Sequence, residues 1–227
     1  MKPILFNTEM VRAILDGRKT TTRRVIKPQP LDGRMTAAGF LTKIPERMNW
    51  GGKIVKPPYQ IGDVLYVRET FTELCRTDEN GYTHYNESFY LYAADSPQID
   101  LYDGDGFLLD DQRIKWHPSL HMPKEAARIF LCVTDVRAER LQGITEGGAK
   151  AEGIKSYWSE PHRDDAPFIG CAKEVGEDLC STRHEAFSQL WNSTIKKSDL
   201  DKYGWDANPW VWVYEFERCE KPKEGLI

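Results

Sequence analysis

The chain has 227 residues, a formal net charge of −4 at neutral pH, and 40% hydrophobic residues, which is enough to fill a core. This length predicts one domain with loop insertions, with two small domains as the alternative. The acidic balance excludes a protein that binds DNA or RNA over its whole surface, because such binding relies on Lys and Arg to neutralise phosphates. Any nucleic-acid role must be confined to one basic patch or pocket.

The N-terminal residues predict a short amphipathic helix. Asn7 or Thr8 can cap it, and Gly17 is placed to end it. Its apolar face is formed by Met10, Val11, Ile14 and Leu15.

The next segment, GRKTTTRR at residues 17–24, concentrates cations and hydroxyls without a carboxylate. Its β-branched residues predict a strand with Thr22 and Arg24 on one face and Arg23 on the other. Lys19 lies at the corner between loop and strand. The simplest interpretation is an exposed edge strand, and the alternatives are a phosphate-binding or a catalytic strand.

A carboxylate is predicted on the buried face of the following strand. Residues 27–60 have little periodicity and predict a loop insertion. IGDVLYVRETF then predicts a strand on which Leu65, Val67 and Glu69 share the core face. A buried carboxylate needs a cationic partner or must take up a proton, and the face that carries Arg24 could supply the partner.

The rest of the chain predicts more strands than helices. Strands are expected at ESFYLYAAD, ARIFLCVTDVRAERL and NPWVWVYEF, and helices at ITEGGAKAEGI, capped by Thr145, and at STRHEAFSQLWNSTI. Loop insertions are expected near 95–113 and 156–182. Because no regular βαβ alternation is present, the pattern favours an α+β fold, a mixed β-barrel with peripheral helices. We expect the FSQLW helix to cover the aromatic face of the last strand, formed by Trp210, Trp212, Tyr214 and Phe216.

Metal binding and export are not expected. The five cysteines are scattered without a C-x-x-C pair, no apolar run approaches the roughly 18 residues of a membrane span, and MKPILFNTEM is too short and polar for a signal peptide. We therefore expect a cytoplasmic protein with reduced thiols, no membrane partner and no cofactor. Two groups have metal-ligand chemistry but poor spacing, namely His162, Cys171, Cys180 and His184, and the pair His117 and His121.

GRKTTTRR also carries a resemblance to a known family. Gly17, Lys19, Thr22 and Arg24 match the G-x-K-x-x-T-x-R signature of ASCH domains, which belong to the PUA-like β-barrel superfamily. GDVLYVRETF, WHPSLHMPKEAARIFLCVTDVRAERLQGITEGGAKAEGI, LWNS and NPWVWVYEF are similar to ASCH proteins carried by phages and prophages. The resemblance spans almost the whole chain outside the loop insertions and implies a single PUA-like domain over residues 1–227.

The resemblance implies a hydrolase. Some small ASCH proteins remove the acetyl group from N4-acetylcytidine with a Lys, a Thr and a Glu, which fall by motif position on Lys19, Thr22 and Glu69. The partner would then be a nucleoside or another modified cytosine. Other ASCH proteins bind RNA or act as ribonucleases on single strands, so RNA is the alternative partner. A phage accessory protein without catalysis is a third possibility.

The residues are compatible with two assignments of the general base. Thr22 can supply the nucleophile, and Lys19 could take its proton only with a pKa lowered toward about 7 to 8. Burial and nearby arginines would lower the pKa of Lys19, whereas an ionised Glu69 alongside would raise it. Glu69 could instead be the base, with Lys19 kept charged. Candidate residues for stacking on a pyrimidine or reading its edge are Arg24, Arg68, Tyr66 and Trp116.

Overall fold

The computed structural model describes residues 1–29, 48–50, 53–77, 83–95, 115–155, 169–170, 179–180 and 182–222. The strands are β1 (Lys2–Leu5), β2 (Thr21–Val25), β3 (Met48–Trp50), β4 (Lys53–Val55), β5 (Val64–Arg68), β6 (Phe71–Thr77), β7 (Thr83–Tyr92), β8 (Phe130–Arg140), β9 (Ile169–Gly170), β10 (Leu179–Cys180) and β11 (Trp210–Cys219). The helices are α1 (Thr8–Leu15), α2 (Glu146–Ala151), α3 (Arg183–Thr194) and α4 (Leu200–Tyr203). This content confirms the α+β class.

The chain divides into two compact units, each built from separate segments. Unit 1 contains Met1–Leu15, Val64–Leu131 and Arg218–Ile227, and unit 2 contains Asp16–Asp63 and Cys132–Glu217. The single-domain organisation remains a prediction. The insertions expected near 27–60, 95–113 and 156–182 lie largely outside the described residues.

Unit 1 is organised around β5. β1 pairs with β5 in parallel, and β5 is followed in the sheet by the start of β8. Leu65 and Val67 are fully buried, as the alternation predicts. β6 and β7 form an antiparallel pair. The predicted cap of α1 is confirmed, since the Asn7 side chain accepts a hydrogen bond from the Met10 N–H at 2.8 Å.

Unit 2 is organised around β11, which lies between β8 and β2. β2 and β11 are antiparallel, with Thr22 opposite Tyr214 and Arg24 opposite Trp212. The prediction that α3 covers the aromatic face of β11 was wrong. The core that contains Phe187 and Trp191 of α3 includes Val211 and Val213, which the pleat turns to the opposite face. The aromatic residues Trp210, Trp212, Tyr214 and Phe216 are nevertheless buried.

No barrel is closed among the described residues. β1 and β2 are edge strands, and the pairs β3–β4, β6–β7 and β9–β10 stand apart as two-stranded sheets. Within the same described part of the chain, no helix combines the length and the apolar character that crossing a membrane requires.

Candidate functional site

The C-terminus of α2 places a carboxylate where a helix does not favour one. The N–H of Gly153 donates to the carbonyl of Lys150 and the N–H of Ile154 to that of Ala149, which is a Schellman ending with Gly153 at φ 101°. Glu152 is the last residue before this glycine. Because the helix dipole is negative at this end, the Glu152 carboxylate requires cations from elsewhere in the fold.

Lys19 provides the first of these cations. The two residues form an isolated antiparallel backbone bridge, and the Thr20 N–H donates to the Ala151 carbonyl at 2.9 Å. The Lys19 Nζ donates to Glu152 Oε2 at 2.6 Å, to the Glu152 carbonyl at 3.0 Å and to the Thr21 carbonyl at 2.8 Å. The Lys19 side chain is 0% exposed and that of Glu152 4% exposed, so the ion pair is sealed from solvent.

Arg23 provides the second cation and extends the pair into a network. Its Nη1 donates to Glu152 Oε1 at 3.0 Å and its Nη2 to Glu139 Oε2 at 3.4 Å. Glu139 on β8 is held in turn by Arg137. The charged groups therefore run without a break from the buried Lys19 to the half-exposed Arg137.

The opposite face of β2 carries Thr22 and Arg24. Thr22 is 1% exposed and lies across from Tyr214, whose ring meets that of Tyr59 edge-on at 5.1 Å between centroids. Tyr59 is half-buried. Arg24 interacts electrostatically with Glu152, Tyr59 and Tyr214. This side of the strand thus combines a hydroxyl, a guanidinium and two aromatic rings.

Burial dominates the acid–base properties of the site. It lowers the pKa of Lys19 below its ordinary value, against Glu152, which raises it, while Arg24 and Arg23 lower it further. Burial also raises the pKa of Tyr59 and of Tyr214. The carboxylate that opposes the shift of Lys19 is therefore Glu152.

Glu69 lies in unit 1 with partners of its own. It is 1% exposed, and its carboxylate accepts from Arg128 Nε at 2.9 Å and Nη2 at 3.1 Å. Arg128 also binds Asp95 and lies over the Tyr92 ring at 3.9 Å. Burial raises the pKa of Glu69, and Arg128 opposes that shift. The cationic partner that its burial requires is thus Arg128.

Three of the expected substrate-binding residues also lie in unit 1. Arg68 donates to the Leu120 carbonyl, and the half-buried Tyr66 packs against the core cluster around Phe71. Trp116 is half-buried beside His117, whose backbone pairs with Phe71. The structure therefore gathers Lys19, Thr22 and Arg24 in unit 2, and Glu69, Arg68, Tyr66 and Trp116 in unit 1.

Of the four-residue metal candidate, the structure describes Cys180 and His184. His162 and Cys171 lie outside the described residues, Cys180 is buried, and His184 meets the Trp205 ring edge-on at 4.8 Å. Within the described ranges, no group of at least three His, Cys, Asp or Glu side chains has the arrangement of a metal site.

Glu152 is the site residue that the sequence patterns did not identify. The signal was nevertheless present in ITEGGAKAEGI, where a glutamate precedes the glycine that ends a helix. A carboxylate at that position is electrostatically unfavourable and so implies a cationic partner.

Comparison with protein-family models, curated proteins and solved structures found no match.

Proposed function

We propose that this protein is an ASCH-type amidohydrolase that removes acyl groups from N4-acylated cytosine nucleosides at the Lys19–Glu152 pair. The observation that carries the proposal is a lysine of the signature segment in contact at 2.6 Å with a glutamate, both side chains being almost fully buried. Buried ion pairs rarely repay their desolvation in stability, whereas functional sites often contain them. We also propose that the protein is cytoplasmic and that its fold is a PUA-like barrel.

The geometry favours one of the two assignments of the general base. An ammonium has three donors and no acceptor, and the Lys19 Nζ faces three oxygen acceptors. Lys19 is therefore the charged residue of the pair. We assign to Glu152 the catalytic role that the resemblance implies for Glu69. The Lys19 amine also binds the carbonyl of the peptide that joins Thr21 to Thr22, which puts the signature threonine one peptide from the ion pair.

Each group then has one role in the hydrolysis. The Thr22 hydroxyl attacks the acyl carbon, Arg24 on the same face of β2 stabilises the oxyanion, and the proton of the hydroxyl passes through a water molecule to Glu152 at the side of the strand. The bond between the acyl carbon and N4 breaks, and N4 receives the proton from Glu152. Water then hydrolyses the acyl-threonine, so that the products are a carboxylic acid and the cytosine nucleoside. Tyr59, half-buried beside Tyr214, offers the aromatic ring against which a pyrimidine would stack.

The arginines near the signature argue against RNA as the principal partner. Phosphate binding needs cations that are not already held by carboxylates or carbonyls of the protein. Arg23 is committed to Glu152 and Glu139, and Arg18 to Asp16 and the Gly153 carbonyl. These contacts neutralise much of the positive charge that GRKTTTRR displays as a sequence, and they favour the small-substrate function.

The test is turnover of N4-acetylcytidine and a panel of N4-acyl cytosines, followed by chromatography, at low and at high salt. We expect hydrolysis by the wild type that persists at high salt and is lost in Lys19→Met. No turnover of any panel member by the folded wild type would refute the proposal. Activity that falls steeply with salt, together with binding to single-stranded RNA, would favour the ribonuclease alternative.

A further inference from the structure

Arg23 makes more contacts than a solvated strand residue would. Its side chain is 2% exposed, its two terminal nitrogens bind Glu152 and Glu139, and its guanidinium lies 5.8 Å from the centre of the Phe187 ring. The two carboxylates belong to different elements, the end of α2 and β8. Arg23 therefore joins both elements to β2 at one point.

The neighbouring helix leaves room for this guanidinium at one position. A Cβ at Gly148 would lie 3.3 Å from Arg23 Nη2 and 3.1 Å from Ile144 Cγ1, whereas a Cβ at Gly147 would meet only Thr145 Oγ1 at 3.8 Å. Both glycines lie in α2, where alanine is intrinsically better by about 1 kcal/mol. The helix therefore has a glycine, a residue of low helix propensity, at the position next to the Arg23 guanidinium.

We propose that Arg23 is a positioning residue of this site, whose guanidinium, fixed by Glu139 and accommodated at Gly148, holds the Glu152 carboxylate so that its other oxygen meets Lys19. This inference rests on the proposed function for its kinetic consequences. Its structural basis is that the two oxygens of Glu152 are bound by two different cations, Oε2 by Lys19 and Oε1 by Arg23.

Removing one of these cations changes the orientation of the carboxylate. Without Arg23, the Glu152 carboxylate can rotate about its terminal bond, and a misplacement of about 1 Å in a catalytic group can cost roughly 100-fold in rate. Lys19 and Arg24 would still attract the carboxylate, but the link from Glu152 through Arg23 to Glu139 on β8 would be lost.

The kinetic test compares Arg23→Gln, Arg23→Lys and Arg137→Gln. We expect Arg23→Gln to lower kcat by about 100-fold with little change in KM. Arg23→Lys should recover part of kcat but not all of it, because an ammonium cannot bridge the two carboxylates as a guanidinium does. Arg137→Gln, one step further from Glu152, should have a smaller effect. An unchanged kcat in folded Arg23→Gln would overturn the proposal.

The adjacent glycines supply a matched pair of variants that leave Arg23 itself in place. Gly148→Ala should lower kcat by at least 10-fold, whereas Gly147→Ala should not change it. If the added methyl acts through Arg23, Gly148→Ala should lower kcat little further in an Arg23→Gln background. Equal kcat for the two alanine variants, or fully multiplicative losses in the double variant, would overturn the role of Arg23.

A measurement without substrate separates this inference from the proposed function. The position of the Glu152 carboxylate can be determined from a crystal structure of the free Arg23→Gln variant. We expect the contact between Glu152 Oε2 and Lys19 Nζ, 2.6 Å in the wild type, to be lost in Arg23→Gln and kept in Arg137→Gln, whether or not any N4-acyl cytosine is hydrolysed. Absence of turnover with this displacement present would refute the substrate but keep the positioning role, and an undisplaced carboxylate would refute the positioning role alone.

Discussion

Two glutamates are almost completely buried in the described part of the chain, Glu152 in unit 2 and Glu69 in unit 1. Both bind an arginine, so burial and an arginine partner do not distinguish them. The difference lies in the remaining partners. Glu152 shares its carboxylate between Arg23 and the fully buried Lys19, whereas Arg128, the partner of Glu69, is 28% exposed and divides its bonds between Glu69 and Asp95. Under the proposed function, the sealed Lys19–Glu152 pair is the catalytic one and the Glu69–Arg128 pair supports the fold.

Replacing each glutamate by glutamine gives the largest expected contrast. Glu152→Gln removes the proposed base and should reduce kcat/KM by about 100- to 10,000-fold, the usual contribution of a general base. Glu69→Gln should leave kcat/KM within a few-fold. Steady-state kinetics on N4-acetylcytidine would measure both. A larger loss in Glu69→Gln than in Glu152→Gln would show that Glu69 is the catalytic glutamate, as the resemblance alone implies.

The stability of the Lys19–Glu152 pair offers the next contrast. Lys19→Met should lower the free energy of unfolding by about 3 kcal/mol, because Glu152 is left buried with one cation fewer. The double variant Lys19→Met/Glu152→Met should regain most of that loss and remain inactive, since apolar replacement of a whole buried ion pair is often neutral. Urea unfolding of the single and double variants would measure both. A double variant no more stable than Lys19→Met would show that the pair serves the fold.

The two units should also respond to pH in opposite directions. Burial raises the pKa of Glu69, so the folded chain holds that proton more tightly, and its contribution makes the free energy of unfolding fall as pH rises from the ordinary value of 4.5 through the folded-state pKa. Burial lowers the pKa of Lys19, so its contribution makes the free energy of unfolding rise between the folded-state pKa and the ordinary 10.5. Urea unfolding across pH should show the first slope missing in Glu69→Gln and the second missing in Lys19→Met. Unchanged slopes in these variants would contradict the assignment.

The smallest expected effect concerns the exposed end of the unit 1 cluster. Asp95→Asn removes a partner of Arg128 whose side chain is 44% exposed, and such pairs contribute about 0.2 to 1 kcal/mol. Arg128 would keep both bonds to Glu69. A loss of unfolding free energy above that range would mean that Asp95 is needed to orient Arg128, and the Glu69 cluster would then be as tightly coupled as the Lys19 network.

Local patterns predicted the elements that surround the site, but long-range pairing placed its residues. The cap at Asn7, the strand through Thr22 and the helix after Thr145 depend on neighbours within a few positions, and the sequence shows these directly. The contact between Lys19 and Glu152 joins residues far apart in the chain, and no period in the sequence encodes it. The sequence predicted that Glu69 would find its cationic partner on the strand face that carries Arg24. In the structure, Glu69 binds Arg128 instead.

Because β2 pairs with β11, this part of the sheet can form only after the ribosome has made both strands. The ribosome makes β2 well before β11, and among the described strands β11 is the one that borders β2. Thr22 therefore acquires its cross-strand neighbour Tyr214 only after Trp210–Cys219 has been made. Under the proposed function, a nascent chain should hydrolyse nothing until Trp210–Cys219 has left the exit tunnel, and a premature stop before that strand should yield a product without residual activity.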